Sequence, residues 1–306
     1  MAQEMPQAGE ITKERFDQIA ALPIWQGPIE VEQLKGGISN ESWLVSDAGG
    51  GHVVRFGIDY PFHHVLRDRE LMTARAAEEA DLAPAVEYAA AGVMVCRHLR
   101  AKTFTEADVR ADIQRIASII RDFHQKMSHH VSGPGFMFWP FHVVRDYART
   151  LAKAGSRMTP HLPTYLAMAD ELEAAQMPLP IVFGHNDLLP ANLLDDSSRL
   201  WLIDFEYAGF STAMFDLAGL SSNAGFSQKE SEELLGIYFD HSPDAALRRS
   251  LAAMQCASLL REAMWSMVSE IYLNAPGTDY VAYTAENLRR LDVALDTYRT
   301  QYGHNR

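Results

Sequence analysis

Two short apolar runs, each delivering polar groups, constrain this chain more than any other feature. Ile181-Val182-Phe183 reads as a buried strand and feeds Gly184-His185-Asn186-Asp187-Leu188-Leu189-Pro190-Ala191-Asn192. Trp201-Leu202-Ile203 is a second such run and delivers Asp204-Phe205-Glu206-Tyr207. The apolar residues fix the backbone, which leaves Asp187, Asn192 and Asp204 at loop mouths. Oxygen-bearing side chains held in this way suit Mg²⁺, a hard cation that takes few protein oxygens and keeps water and phosphate as its other ligands. The plain alternative for the same residues is a polar turn between two core strands.

The spacing adds to the residue types. His185-Asn186-Asp187 with Asn192 has the form His-x-Asp-x4-Asn, and Asp204-Phe205 follows twelve residues later. Protein kinases carry a catalytic base and one metal ligand on a loop of that form, and the second metal ligand on an Asp-Phe pair.

Composition narrows the classes of function. The 306 residues suffice for one large domain or two lobes with a sizeable core, and a hydrophobic content of 47% is ordinary for a globular protein. Lys+Arg 27 against Asp+Glu 40 gives a net charge of −13, which argues against a nucleic-acid surface and is compatible with a cationic substrate. Cys96 and Cys256 lack metal-like spacing and read as buried, reduced thiols of a cytoplasmic protein. Met1–Glu10 has neither the basic nor the apolar part of a signal peptide. No apolar run reaches the length of a membrane span, because the late apolar helix is interrupted by Gln255, Arg261 and Glu262. No sequence feature sets an oligomeric state.

The first part of the chain is rich in strand signals. Ile11–Leu22 reads as a short helix ended by Pro23, followed by strands at Ile29–Leu34, Ser42–Ser46 and His52–Phe56. The segment Lys35-Gly36-Gly37-Ile38-Ser39-Asn40-Glu41 joins the first two. A glycine loop there can be a mere hairpin, or it can bring backbone N–H groups close to phosphate. Arg55 ends the third strand with a fork suited to phosphate, and its expected partner is Glu70 on a helix from about Leu66 to Glu79. Arg67, Asp68 and Arg69 crowd Glu70, so more than one charge could face inward. Ala85–Tyr88 and Gly92–Cys96 read as two further strands, and Arg97-His98-Leu99 as a hinge.

Helical spacing dominates thereafter. Thr105-Glu106-Ala107-Asp108 resembles a capping box, and Val109, Ile113, Ile116, Ile120 and Phe123 mark a buried helix face. Helices are expected at about Phe141–Ala154 and Pro163–Ala175, from a Ser227 cap with Glu230, from Ser242-Pro243 through Trp265, and from about Tyr280 to Gln301. His63-His64 and His129-His130 lack metal spacing and read as surface or loop residues. The sum is α+β: a nucleotide-binding lobe over residues 1–98 and a catalytic and substrate lobe over 99–306.

On these residues the chain resembles the choline/ethanolamine kinase group of the aminoglycoside-phosphotransferase-like kinases. The most specific pieces are His185-Asn186-Asp187 with Asn192, and Ile203-Asp204-Phe205-Glu206-Tyr207-Ala208 with Asp216-Leu217-Ala218. An arginine on the third strand is usual in that branch. The resemblance implies a bilobal protein-kinase-like fold with a small antiparallel-sheet lobe and a large helical lobe. It also implies ATP- and Mg²⁺-dependent phosphorylation of a small-molecule hydroxyl. Asp187 would be the catalytic base, and Asn192 and Asp204 the metal ligands. Gly37, Ser39, Asn40, Arg55 and Glu70 would serve the nucleotide, with Asp216 bracing the loop.

The substrate is expected to be a small amino alcohol such as choline or ethanolamine, lined by Glu206, Tyr207, Glu262 and Trp265. Plain helix core remains open for Trp265, and a solvated position for Glu262. Animal choline kinases often carry two tryptophans three residues apart, where this chain has Glu262 and Trp265, and a glutamate where it has Asn223. An aminoglycoside kinase or another small-molecule kinase, such as one for thiamine, is therefore the alternative. A nucleotide-binding module without turnover is the reading from a different class.

Overall fold

The computed structural model describes residues 11–34, 40–273 and 277–303, so Gly37 and Ser39 lie outside the described residues. Helix α1 (Lys13–Ala20) starts at Thr12, whose hydroxyl accepts from the Arg15 N–H at 3.2 Å. Strands β1 (Glu30–Gln33), β2 (Glu41–Asp47) and β3 (Gly50–Phe56) follow, then α2 (Arg67–Glu79), β4 (Val86–Ala90) and β5 (Val93–Arg97). The five strands form one antiparallel sheet in the order β1-β2-β3-β5-β4. Trp43 and Val45 of β2, Val54 of β3 and Val95 of β5 share a small buried core with Ile19 of α1. The period of two along β2 is what lets one sheet face take the helix.

Beyond β5 the chain is mainly helical. A short β6 (Lys102–Thr103) pairs with β8 (Leu193–Asp195), which pairs with β9 (Leu200–Leu202). Between β6 and β8 come α3 (Glu106–Ala111), α4 (Ile113–Lys126), α5 (Pro140–Lys153), α6 (Leu162–Glu173) and β7 (Ile181–Gly184). After β9, β10 (Gly209–Thr212) pairs antiparallel with β7. The chain then forms α7 (Ala213–Asn223), α8 (Gln228–Phe239), α9 (Ala245–Tyr272) and α10 (Tyr280–Tyr302). Both expected capping boxes are present, Thr105 with Asp108 and Ser227 with Glu230. This is the expected α+β, bilobal arrangement of an antiparallel-sheet lobe and a helical lobe.

Four expectations need correction. The single helix read across Val109 to Phe123 is broken at Asp112, whose non-helical backbone ends α3 and whose side chain caps α4. The long helix begins after Asp244, whose carboxylate accepts the Leu247 N–H at 2.8 Å, and not at Ser242-Pro243. Cys96 is only half-buried, while Cys256 is buried; both thiols are free, and burial pushes them up to about 11 and about 12. His63 is no surface residue: it is 2% exposed. Its ring lies on Trp265 with centroids 5.0 Å apart and an interplanar angle of 27°.

Helix α9 runs through the centre of the helical lobe against α5, α6, α7 and α10. Its residues Ala263, Met264, Trp265, Ser266, Met267, Val268 and Ser269 are consecutively buried. A helix segment covered on all sides is largely apolar all round, which accounts for the long apolar stretch of its sequence. No helix among the described residues is long and apolar enough to cross a membrane.

Phe123 ties α4 to the functional loops. It is fully buried, and its ring stacks on Phe205 with centroids 5.9 Å apart and planes 2° apart. Phe123→Ala is expected to cost about 3–5 kcal/mol of unfolding free energy by urea denaturation. A loss below ~1 kcal/mol would show that the site collapses around the deletion and that the stack is not structural.

Candidate active site

The loop from β7 is held from below by one carboxylate. Asp216, buried on α7, accepts the backbone N–H of His185 at 2.8 Å and of Asn186 at 2.7 Å. His124 Nε2 stands 2.8 Å from the same carboxylate and His124 Nδ1 2.7 Å from the Tyr238 hydroxyl. Burial works against the Asp216 charge, but His124 and the loop N–H groups hold its carboxyl below the ordinary range. The bracing role expected of Asp216 is met by this geometry.

Close approach decides two glycines. A Cβ on Gly184 would come within 2.8 Å of Asn186 Oδ1 and 3.2 Å of Asp216 Oδ2, so only glycine lets the brace reach the loop. A Cβ on Gly57 would meet Asn40 Oδ1 at 2.6 Å and Arg67 Nε at 2.8 Å.

The loop itself is tied at both ends. Asn186 takes a left-handed backbone, φ 62°, and its Nδ2 donates to the carbonyls of Tyr207 and Gly209, each at 3.1 Å. His185 Nε2 donates to the Ile203 carbonyl at 2.9 Å. The Ile203 N–H donates to the Asn192 carbonyl at 3.1 Å. The strand that delivers Asp204 is therefore bonded directly to the loop that carries Asp187 and Asn192. Asp204 also sits at positive φ, 69°, a conformation that non-glycine residues hold only when their surroundings force it.

Asp187 lies half-buried in a cleft of about 270 Å³ that also carries Asp204, Glu206, Tyr207, Asn223, Glu262, Trp265 and Tyr283. Desolvation pushes the Asp187 carboxyl well above its ordinary range; Arg261 opposes the shift, and Asp204, Glu262 and Glu206 add to it. Asn192 is buried, and its Nδ2 donates to the Asp187 carbonyl oxygen at 2.9 Å, which leaves its amide oxygen as the free donor atom.

Arg55 stands between two carboxylates. Its Nη1 is 3.1 Å from Glu70 Oε1, and its Nη2 donates to Asp204 Oδ1 at 2.8 Å. Burial penalises the Arg55 charge, yet Asp204 and Glu70 raise its pKa, with a smaller push from Glu206. Glu70, 4% exposed, is the helix charge that faces inward. Arg67 also faces in, with Nη1 2.6 Å from Glu70 Oε2 and 3.1 Å from Glu206 Oε2. Asn40 Nδ2 donates to Glu206 Oε2 at 3.1 Å. So Glu206 both lines the cleft and closes a charge network with the sheet lobe. Burial, then Asp204, raises its carboxyl, while burial of Asp204 is outweighed by Arg55, which lowers it.

Among the described residues no cluster of three or more His, Cys, Asp or Glu could hold a metal ion. The residues present still fit Mg²⁺. Asp204 and Asn192 offer hard oxygens and nothing soft, in too small a number to bind an ion alone. That suits a cation whose remaining ligands are water and phosphate oxygens.

Trp265 and Tyr207, expected as pocket walls, are together: Trp265 Nε1 donates to the Tyr207 hydroxyl at 2.9 Å. Trp265 is 7% exposed, so it is core and cleft wall at once. Glu262 is not a merely solvated position, since it accepts from Arg261 Nη1 at 2.7 Å and from the Tyr283 hydroxyl at 2.8 Å. Asn223 Nδ2 donates to the Leu188 carbonyl at 3.2 Å. Sequence reasoning named Arg67 only among the charges crowding Glu70, read His63 as a surface or loop residue, and took Arg261 only as a break in an apolar run. For Arg261 the signal was a lone cation in an apolar helical run; His63 carried none.

The same frame recurs in known proteins. Residues 30–253 match the phosphotransferase enzyme family. A solved choline/ethanolamine kinase family protein from Mesorhizobium loti is 27% identical, with a TM-score of 0.76 over 92% of this chain and 94% of that one. The choline kinase LicA from Streptococcus pneumoniae is 22% identical, with a TM-score of 0.76 over 94% of this chain and 99% of that one, a likeness of fold. Protein LicA of Haemophilus influenzae is 31% identical over 118 residues, which are 36% of this chain and only 41% of that protein. The fold is that of protein-kinase-like small-molecule phosphotransferases. The chain belongs to the phosphotransferase enzyme family.

His63 makes this site sensitive to acid. Ser269 Oγ donates to the Trp265 carbonyl at 2.9 Å, so His63 Nε2 is the donor in its 3.0 Å bond to that oxygen. His63 Nδ1 then accepts from the Tyr147 hydroxyl at 3.3 Å, which requires a neutral ring. Burial, with Arg261 and His64 beside it, lowers the His63 pKa to about 3. The unfolded chain, with a histidine near 6.5, binds the proton that the folded chain refuses, so stability falls as pH drops below about 6.5 and goes on falling toward 3. The slope is at most about 1.4 kcal/mol per pH unit. His63→Leu is expected to be less stable at pH 7.5 but to lose less between pH 7.5 and pH 5 in urea unfolding. The raised carboxyls of Asp187 and Glu206 act with the opposite sign and cancel in the comparison. Parallel losses for variant and parent would disprove the His63 contribution.

Proposed function

We propose that this chain uses ATP with Mg²⁺ to phosphorylate the hydroxyl of a small amino alcohol, ethanolamine or choline first. The observation that carries the reading is the placement of Asp187, on the loop braced by Asp216, in one cleft with Asp204. A carboxylate there orients the acceptor hydroxyl and takes its proton, and its raised affinity for protons suits it to that task. Asp204 and Asn192 would hold the metal, which supplies neutralisation of charge on the transferring phosphoryl group. Arg55, fixed by Glu70, keeps Asp204 in place at the mouth. Gly37, Ser39 and Asn40 would lie along the phosphates, as in the resembling kinases.

An amine is supported by the acidic and aromatic lining. Glu262 and Glu206 give the cleft negative charge, and Tyr207, Trp265 and Tyr283 give it aromatic surface. The similar protein from Mesorhizobium loti is of the choline/ethanolamine kinase family, which points the same way.

Two measurements separate the roles. Asp187→Asn is expected to lower kcat by at least about 10²-fold while ATP binding, read by calorimetry with Mg²⁺, stays near the parent value. Asp204→Ala is expected instead to weaken metal-nucleotide binding. Near-parent turnover in Asp187→Asn excludes it as the base, and absence of any Mg²⁺-dependent transfer to amines excludes the whole reading. For the pocket, Trp265→Ala is expected to lower kcat/KM for the preferred amine about ten-fold, equivalent to about 1.4 kcal/mol. An unchanged value would place Trp265 in the core alone.

A further inference from the structure

The acceptor cleft contains a cation of the chain's own. Arg261, on α9 one residue before Glu262, is 4% exposed. Its guanidinium carbon stands 4.6 Å from the Tyr207 ring centroid and 5.7 Å from that of Phe138. Nη1 is satisfied by Glu262. Nε and Nη2 are buried and have no hydrogen-bond partner among the described residues. Two bare donors on a buried cation are costly, and a native chain that keeps them needs a reason.

The bare pair is one particular edge. Nε–H and Nη2–H lie side by side and point the same way, at the spacing of the two oxygens of a carboxylate. Four other arginines of this chain use that edge so. Arg15 holds Glu41 at 3.0 and 2.6 Å, and Arg157 holds Glu270 at 2.9 and 2.7 Å. Arg289 holds Glu286 at 2.8 and 2.7 Å, and Arg299 holds Glu171 at 3.2 and 2.6 Å. In Arg261 the same edge is vacant, and the residue stands in the wall of the cleft that carries Asp187. The neighbouring carboxylates are otherwise engaged: Glu262 with Nη1, Glu206 with Arg67 and Asn40, and Asp204 with Arg55. Asp187 feels the Arg261 charge without bonding it.

The aromatic faces point the same way. Arg261 covers one face of Tyr207, and His63 lies against Trp265. Part of the ring surface that a bare quaternary ammonium would use is therefore already taken.

We propose that the acceptor brings a carboxylate to the Nε/Nη2 edge of Arg261, so that the substrate is a zwitterionic hydroxy amine. Its hydroxyl meets Asp187, its ammonium meets Glu262, and its carboxylate completes the guanidinium. This rests on the reading of the cleft as the site of a hydroxyl phosphorylated with ATP, and it places carboxylate-bearing relatives of ethanolamine ahead of ethanolamine and choline as acceptors. The edge is closed to solvent by the side chains around it, so acceptor binding shifts side chains of the cleft wall, a common scale of change on binding.

The test uses acceptor pairs that differ only in the carboxylate: ethanolamine against serine, and 3-aminopropan-1-ol against homoserine. The full chain is assayed with ATP and Mg²⁺, with choline alongside. The carboxylate-bearing member of at least one pair is expected to have a kcat/KM about ten-fold or more higher. Arg261→Gln is expected to bring that ratio close to one, mainly through KM. Arg261→Lys, which keeps the charge and loses the fork, is expected to fall between. The ratio is taken within one preparation, so a reduced folded fraction cancels. Equal or better use of the amine-only members by the parent enzyme overturns the inference and leaves the proposed function standing. A carboxylate preference that survives unchanged in both variants overturns the assignment to Arg261. No transfer to any of the five acceptors overturns the inference and the reading beneath it.

Discussion

The contact on which the active cleft depends is Arg55 between Glu70 and Asp204. It joins a strand of the sheet lobe, a helix of the same lobe and the mouth of the helical lobe through one guanidinium. Arg67 repeats the arrangement one layer away, between Glu70 and Glu206. Buried ion pairs of this kind add little net stability, because desolvation offsets most of the attraction. Losing one partner, however, leaves a charge stranded in a poor solvent, so the network specifies one relative placement of β3, α2 and the Asp204 loop. Two arginines, Arg55 and Arg67, face three carboxylates there, Glu70, Asp204 and Glu206, which leaves an excess of negative charge at the mouth of the cleft.

The floor of the cleft is built on a different principle. Asp216 uses both carboxylate oxygens on backbone N–H groups, and its charge is sustained by His124. Asn186 and Asp204, both at positive φ, hold strained positions that such bonds over-determine. Rigid placement costs a reaction little at the moment it occurs, which is a physical reason to hold strained positions in a loop that lines the cleft.

The wall of the cleft formed by α9 is less uniform. Tyr207, Trp265 and His63 form a linked set of rings, and Arg261 puts a fixed cation onto Tyr207. A pocket holding Glu262 and Arg261 side by side presents both signs of charge within one small volume, unlike a purely acidic amine pocket. Specificity in such a site comes as much from the donor left bare by the wrong ligand as from the contact made with the right one.

Much of this protein was determined by local sequence. The alternating residues of β2, the capping boxes at Thr105 and Ser227, and the apolar runs ending in Asp187 and Asp204 follow from short-range sterics and hydrogen bonding, and so does the fold class they sum to. The spacing of Asp187, Asn192 and Asp204 was legible because it is a short-range pattern in the chain, although Asp216 and the Asn186 bonds from other elements hold the loop in place. Tertiary structure alone decided what depends on packing between distant segments. Which of the charges around Glu70 faces inward is settled by where β3 presents Arg55. His63 lies in a stretch with no periodic signal, and it is buried only because α5 and α9 supply Tyr147, Trp265 and Ser269 around it. Arg261 read as an interruption in an apolar helix, and its place over Tyr207 exists only once α9 packs against the Asp204–Tyr207 segment. Charges and rings brought together from far along the chain leave no local pattern, since nothing in the intervening sequence must repeat for them to meet.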